Sequence, residues 1–192
     1  MKNNQCCSNP FCLGLPDDVR KILCANAYSV AYKKQNEQVI FFNFKHVLIM
    51  EKGYAITSRG HLSERQQGTD ILEPGNLVGV VQAFHPDYEA SISLLPLTHV
   101  EGCLVKLPKV EQLAKTHPEF AVAILTEFSE RFGRVVSKLA IHSYGSARER
   151  MNFVLERVEE LGLSNLITQD QLARLSGLSR VTVNRLMKVE TS

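Results

Sequence analysis

The sequence predicts an α+β protein in which a jelly-roll or β-roll of short strands is followed by a long helix and a C-terminal helix-turn-helix. Three observations predict this fold. Short apolar runs separated by glycines continue to about residue 107, an uninterrupted helical period covers about 118–144, and two short helical patterns flank a glycine near the C-terminus. We therefore expect a β-roll sensor domain over 1–117, a dimerisation helix over 118–145 and a DNA-binding domain over 146–192.

Composition limits the classes of function. A chain of 192 residues with 44% hydrophobic residues can bury a packed core in one large domain or in a medium and a small one. The formal net charge is only +2, so any nucleic-acid signal must be local. No apolar run approaches the length of a membrane span, and the N-terminal residues lack the apolar core of a secretory signal. We expect a cytoplasmic protein that does not associate with membranes.

The first half of the chain has the pattern of a β-barrel or jelly-roll. Its strand-like runs are short and are separated by glycines and prolines, which is typical of such folds. The main runs are Val39–Phe42, Val47–Met50, Tyr54–Thr57, Ile92–Leu95 and Leu104–Leu107. The segment Ile71–Gly79 predicts a strand, a turn and a second short strand.

The long helix carries an apolar seam that alternates four and three residues apart, as the a and d positions of a coiled coil do. The seam consists of Ala121, Leu125, Phe128, Phe132, Val135, Leu139 and His142. We interpret it as a homodimer interface, because its length exceeds what one small barrel covers. On this interpretation Arg131, Arg134 and Lys138 leave the opposite side exposed to water. The alternative is that the seam packs on the chain's own β domain.

The segment Ile167–Lys188 predicts a helix-turn-helix. Thr168 suits the N-cap of a first helix, Gly177 occupies a turn that needs positive φ, and Ser179 suits the N-cap of a second helix. Ala173 is small enough for two helices to approach closely. Four apolar residues are spaced to fill the wedge between the helices: Leu172, Leu178, Val183 and Leu186. An αα-hairpin in an unrelated domain is the alternative.

The second helix is predicted to lie in the major groove of DNA. Arg180 is placed to read guanine, Asn184 to pair with adenine, Val181 to contact a thymine methyl group, and Arg185 to reach a neighbouring base or a phosphate. Alternatively, Arg180 pairs with a nearby acidic residue. Phosphate contacts are expected from Thr168, Gln169, Thr182 and Lys188.

These motifs resemble the CRP/FNR superfamily of transcription regulators. Thr168-Gln-Asp-Gln-Leu-Ala173 and Gly177-Leu-Ser-Arg180-x-Thr182-Val183-x-Arg185 look like its DNA-binding signature, and Glu73-Pro-Gly75-Asn-Leu-Val-Gly79 is similar to the glycine-bearing turn of its cyclic-nucleotide-binding-like β-roll. The resemblance implies a homodimeric regulator that binds double-stranded DNA, has RNA polymerase as a protein partner and senses a signal through the β-roll.

The sequence departs from the family pattern at the residues that form the effector site in cyclic-nucleotide-binding members. Members that bind cyclic nucleotides place a Gly-Glu pair and an Arg-Ser pair around the ribose and phosphate. Here Val80 follows Gly79, and the segment Asp87–Ser91 contains Glu89 but no arginine. A cyclic phosphate would meet no cation there. We therefore expect an effector other than a cyclic nucleotide.

Five cysteines raise the question of a redox role: Cys6, Cys7, Cys12, Cys24 and Cys103. Their spacing does not match the family's iron–sulfur sensor. We expect unmetallated thiols and no bound cofactor, with a thiol redox switch as the next alternative and a cluster as the last.

No enzymatic site is predicted. The histidines lack metal-ligand spacing, no catalytic triad is recognisable, and an enzyme on a cupin-like barrel is the least favoured class. The family's β-hairpin wing does not follow the second helix before Ser192. The alternative function is therefore a dimeric β-roll sensor or interaction protein whose DNA binding is impaired.

Overall fold

The computed structural model describes residues 9–33, 40–42, 45–59, 68–85, 87 and 92–190. The helices are α1 (Pro10–Leu13), α2 (Asp17–Ala25), α3 (Val80–Phe84), α4 (Leu107–Thr116), α5 (Pro118–Tyr144), α6 (Ala147–Glu160), α7 (Gln169–Ser176) and α8 (Arg180–Glu190). The strands are β1 (Ala27–Tyr32), β2 (Ile40–Phe42), β3 (His46–Lys52), β4 (Ala55–Arg59), β5 (Gly68–Leu72), β6 (Leu77–Val78), β7 (Ile92–Pro96) and β8 (Val100–Lys106). Among these helices, none has the length and apolarity needed to cross a membrane.

The strands form two antiparallel sheets, which confirms the predicted β-roll. One sheet has the order β1-β8-β3-β6 and the other the order β2-β7-β4-β5. The Ile71–Gly79 segment folds as predicted, since β5 and β6 flank a turn in which Gly75 has a φ of 97°. The strand predicted over Leu104–Leu107 ends one residue earlier, because Leu107 begins α4 ahead of a proline in the first helical turn.

Alternation along the strands divides the apolar residues between the two faces of each sheet. Leu48 and Met50 of β3 lie in the cluster between the sheets, whereas Val47 and Ile49 face the opposite way, into a cluster with α2, α4 and the start of α5.

A third cluster forms on the outer face of the second sheet and joins it to the C-terminal helices. Three residues of this sheet, Ile56, Ile71 and Leu95, contribute to the cluster together with Leu97, which follows β7, and all four are buried. They pack with buried residues of α6, α7 and α8, including Met151, Leu172, Leu175 and Val183. The helix-turn-helix therefore completes its core with residues of the β-roll.

Helix α5 presents two stripes, and their surroundings differ from our expectation. The stripe that contacts the β-roll consists of Phe120, Ile124, Glu127, Arg131, Arg134 and Lys138. Each of these residues precedes a seam residue by one position, so the two stripes lie about 100° apart around the helix. The prediction that Arg131, Arg134 and Lys138 face water was wrong, because they lie on the β-roll side.

A polar layer joins this stripe to the β-roll. The carboxylate of Glu127 is 3.0 Å from the backbone nitrogen of Leu77 and 3.4 Å from Arg131 Nη1. Asp70, only 8% exposed, accepts from Arg134 Nη2 at 3.3 Å. Burial raises the pKa of Glu127, with the Arg131 charge acting against it. These pairs satisfy charges that would be costly to bury alone, and so they orient α5 on the β-roll.

At the end of this layer, the Lys138 ammonium group donates to the Gly68 carbonyl. Burial lowers the pKa of Lys138 from 10.5 to about 8, opposed by the charge of Asp70. The unfolded chain therefore binds more protons than the folded one between these two pH values, and stability should rise with pH across that window.

We expect Lys138→Met to be at least as stable as the parent at pH 7, because the buried charge costs up to roughly 3 kcal/mol there. The difference in the free energy of unfolding should shrink as pH rises through the window, as urea denaturation can measure. Lys115→Met, which removes an exposed lysine, is the control. A difference that does not vary with pH would contradict the assigned cost of burying Lys138.

Candidate nucleic-acid interface and effector cavity

The first helix of the helix-turn-helix is fixed at both ends by the residues that the sequence singled out. Thr168 Oγ1 accepts from the backbone nitrogen of Gln171 at 3.2 Å, and Gln171 Oε1 accepts from that of Thr168 at 2.8 Å. This reciprocal capping box was not predicted, although the Thr-x-x-Gln pattern could have revealed it. Gly177 ends the helix with a φ of 64°, as the turn prediction required.

The second helix is held on the first by apolar packing. Ser179 Oγ accepts from the backbone nitrogen of Thr182 at 3.1 Å, which makes Ser179 the predicted N-cap. The four predicted wedge residues lie in one cluster, with Leu172, Val183 and Leu186 buried and Leu178 partly buried. The sequence therefore predicted the helix-turn-helix correctly at the level of individual side chains.

The outer surface of α8 carries the predicted base-reading residues. Val181, Asn184, Arg185 and Lys188 follow an i, i+3, i+4, i+7 spacing, so they share one helix face, and all four are exposed. Val181 is 80% exposed. Thr168 and Gln169, also exposed, lie at the start of α7, whereas Thr182 is half-buried.

Arg180 forms an ion pair that sequence spacing did not identify. Its Nε lies 3.3 Å from Oδ1 of Asp170 in α7, and both side chains are accessible, at 69% and 46%. The alternative in which Arg180 pairs with an acidic residue is thus realised in the structure. The pair engages Nε and does not involve the two terminal nitrogens of the guanidinium group. These are the atoms that read guanine in a bidentate contact.

The seam of α5 is an exposed apolar surface. Leu125, Phe128, Phe132, Val135 and Leu139 are 62%, 41%, 58%, 38% and 65% exposed. Ala121 and His142 are half-buried, and the Phe128 and Phe132 rings stack with centroids 6.1 Å apart. The described part of the β-roll therefore does not cover the seam, contrary to the alternative that it packs on the chain's own domain.

A cavity of about 220 Å³, here called the roll cavity, lies between the β-roll and α5. Its lining includes Thr57 and Ser58 of β4, Gly79 at the N-cap of α3, Gln82 within α3, and Arg131 of α5. Three seam residues complete the wall: Phe128, Phe132 and Val135. A ligand in the roll cavity would therefore touch residues of the exposed seam.

The polarity of the roll cavity differs from that of an anion site. Among the described lining residues, Arg131 is the one cation, and two carboxylates compensate its charge, with Glu127 at 3.4 Å and Asp70 at 3.8 Å. Gln82 is 6% exposed, and in the described part of the protein neither its side-chain oxygen nor its nitrogen has a hydrogen-bond partner. Such a buried amide needs a partner, and a neutral ligand with a donor and an acceptor provides one.

Several predicted features lie outside the described residues, and the described cysteines are thiols. Glu89 and its neighbours over 88–91 are outside them, as are Cys6 and Cys7. Cys12 and Cys103 are buried thiols and Cys24 is half-buried. Within the described ranges no cluster of histidine, cysteine and carboxylate side chains is arranged to hold a metal ion.

The fold is that of CRP/FNR-type transcription regulators. The chain is similar to the c-di-GMP-responsive global regulator CLP of Xanthomonas campestris, with a TM-score of 0.73, 16% identity and 92% of each chain covered. It is also similar to a crp/fnr-family transcriptional regulator from Eubacterium rectale, with a TM-score of 0.69 and 15% identity over 95% of this chain and 86% of that one. The chain is similar as well to the catabolite activator protein of Thermus thermophilus, with a TM-score of 0.54 and 22% identity over 95% of this chain and 86% of that one.

No protein-family model matches the sequence, and no curated protein matches it. The likeness is therefore one of architecture, carried by the β-roll, the long helix and the C-terminal helices together.

Proposed function

We propose that the protein is a homodimeric, DNA-binding transcription regulator of the CRP/FNR type. The observation that carries this proposal is the exposed face of α8, which presents Val181, Asn184, Arg185 and Lys188. Helix α8 packs on α7, which a capping box at Thr168 and the turn at Gly177 fix at its two ends. A helix held in this way on a rigid base can enter the major groove as a unit. RNA polymerase is the protein partner expected of such a regulator.

For Arg180 we propose a guanine-reading role that the ion pair with Asp170 supports. The pair restrains a long side chain before DNA arrives, and it leaves both terminal nitrogens available. Restraint lowers the entropic cost of placing the guanidinium group against one base edge. The other predicted contacts keep their roles, with Asn184 at adenine, Val181 at a thymine methyl group and Arg185 at a neighbouring base or phosphate. The remaining phosphate contacts are assigned to Thr168, Gln169, Thr182 and Lys188.

The seam residues are proposed to pack against the same residues of a second copy, with α5 beside α5 in a two-fold arrangement. Exposed apolar side chains along a helix of about 40 Å support this assembly. The same helix face closes one side of the roll cavity. Effector binding and helix packing would then depend on each other, and a shift of α5 would re-orient the DNA-binding units.

The effector is proposed to be a neutral molecule rather than a cyclic nucleotide. The unpartnered amide of Gln82 supports a ligand with adjacent donor and acceptor groups. Arg131 is the one described cation of the roll cavity, and Glu127 and Asp70 already compensate its charge, which disfavours a phosphate.

The dimer is tested by placing aspartate at both Phe128 and Phe132, where two unpaired charges cannot be buried between helices. We expect the variant to be monomeric at micromolar concentration and the parent dimeric, as measured by light scattering. The control places aspartate at Thr126 and Ser137, which are exposed on α5 away from the seam and add the same charge. A monomeric parent, or a control as monomeric as the seam variant, would refute the seam as the interface.

Calorimetry with cyclic AMP and cyclic GMP tests the effector class. Since Glu127 and Asp70 compensate the charge of Arg131, the one described cation of the roll cavity, we expect no saturable heat from either nucleotide. A micromolar Kd for one of them would overturn the assignment.

DNA recognition is tested on an operator selected from random duplexes. Arg180→Ala should weaken operator binding by about 1–3 kcal/mol and relax the preference at one base pair in each half-site. Lys188→Ala should instead weaken binding to all sequences alike and reduce the slope of affinity against salt by about one. Fluorescence anisotropy across a salt series measures both effects.

Asp170→Asn is the matched variant for the ion pair. It removes a negative charge beside DNA and releases Arg180, so affinity for random duplex should rise while the ratio of operator to random binding falls. Equal losses on operator and random DNA in Arg180→Ala would exclude base reading by Arg180. If neither Arg180→Ala nor Lys188→Ala alters binding, α8 does not enter the groove.

A further inference from the structure

A second cavity, here called the junction cavity, lies where the β-roll, the long helix and the DNA-binding unit meet. Strand β5 and helices α5 and α6 form its walls, and Leu175 of α7 contributes from the helix-turn-helix. Its volume is about 350 Å³, which lies within the range of small-molecule sites. It is separate from the roll cavity, with which it shares only Thr69 among the described lining residues.

Three cations line the junction cavity and are incompletely satisfied. The Nε atoms of Arg134 and Arg157 are buried, and neither has a hydrogen-bond acceptor among the described residues. The Lys138 ammonium group donates to the Gly68 carbonyl and has no carboxylate within ion-pair distance in the described ranges. Buried donors of this kind are stabilised by an acceptor, and most of all by an anionic one.

The acidic residues of the lining are already engaged or exposed. Asp70 lies 3.3 Å from Arg134 Nη2, and Glu160 lies 3.3 Å from Arg157 Nη1. Glu156 is exposed. Lys138 is therefore the lining cation that has no carboxylate within ion-pair distance among the described residues, and the charge of Asp70 acts on it from farther away.

The remaining wall is apolar. Ile71, Val154 and Leu175 line it and are 2%, 5% and 3% exposed, and the half-buried Phe153 lies beside them. A site with cations at one side and packed hydrocarbon at the other fits a molecule with an anionic head and an apolar body.

Gly133 keeps one side of the cavity open. It lies within the 27-residue helix α5, where glycine costs about 1 kcal/mol relative to alanine. A Cβ at this position would meet no described atom within 4 Å, so packing does not demand a glycine here. A larger side chain at position 133 would instead occupy space at the cavity.

We propose that the junction cavity binds a small organic acid, with its carboxylate at Lys138 and Arg134 and its apolar body on Ile71, Val154 and Leu175. This ligand would contact the β-roll, α5 and the helix-turn-helix at once, and so it stabilises the docked position of the DNA-binding unit. The site does not depend on the proposed DNA-binding function, and its test uses no DNA.

The probe is naphthoate, and its neutral counterpart is naphthalenemethanol. Calorimetry on the full chain should give one naphthoate per chain with a Kd below about 1 mM, and at least about tenfold weaker binding of the alcohol, because a charge-assisted hydrogen bond is lost. Lys138→Met should lose about tenfold in naphthoate affinity while keeping its circular dichroism spectrum. Gly133→Phe, which leaves every charge in place, should also lose affinity by crowding the cavity.

Gln82→Leu is the matched control, because it alters the roll cavity alone and should bind naphthoate as the parent does. If Lys138→Met and Gly133→Phe both bind within about twofold of the parent, the proposal is wrong. If Gln82→Leu loses naphthoate binding and these two variants keep it, naphthoate binds in the roll cavity. That result would also overturn the proposal.

Proton uptake on binding gives an independent test of whether the carboxylate of the ligand lies at Lys138. The titratable and charged groups around Lys138 are Asp70 of β5, Arg134 and His142 of α5, and Arg150, Glu156, Arg157 and Glu160 of α6. Because the free pKa of Lys138 is about 8, binding of an anion at pH 8 should take up about half a proton, and affinity should fall at higher pH. Calorimetry in buffers of different ionisation enthalpy should show this uptake in the parent and none in Lys138→Met. Equal uptake in both proteins would refute a carboxylate at Lys138.

Discussion

The architecture depends on the orientation of α5, which the polar layer between this helix and the β-roll determines. Asp70 and Glu127 are buried carboxylates, and they are tolerable only because Arg131 and Arg134 lie beside them. A rotation of the helix by one residue, about 100°, would separate these charges and would bury the apolar seam on the β-roll. The outward seam, the wall of the roll cavity and the floor of the junction cavity all follow from this one orientation.

Much of the fold could be predicted from the sequence, because its signals are local. Period-two runs, a 3.6-residue period and turn glycines depend on neighbouring residues alone. Thr168, Gly177 and Ser179 have the predicted roles for the same reason. The side of α5 that faces the β-roll could not be predicted in this way, since arginines on a helix usually indicate a solvated surface. The partner that reverses this expectation, Asp70, is more than sixty residues from Arg134 in the sequence.

The same limit applies to the candidate sites. The ion pair between Asp170 and Arg180 joins two helices across a turn, and no spacing rule identifies it. The orphaned amide of Gln82 could not be foreseen, because an unsatisfied group becomes apparent only when every possible partner has been placed. Cavities are similarly properties of several segments at once. The exposed residues of α8 could therefore be predicted, because one short segment carries them, whereas neither cavity could.

The apolar cluster shared by the second sheet and the C-terminal helices has a consequence for genetics. Ile56, Ile71 and Leu95 belong to the β-roll by sequence, yet they complete the core beneath α7 and α8. Gly68 lies at the same contact, where a Cβ would come within 3.1 Å of Leu175. Under the proposed function, a screen for loss of repression or activation would score substitutions at these positions together with substitutions in α8. A map of such alleles would extend from α8 into the β-roll, because both contribute to one apolar core.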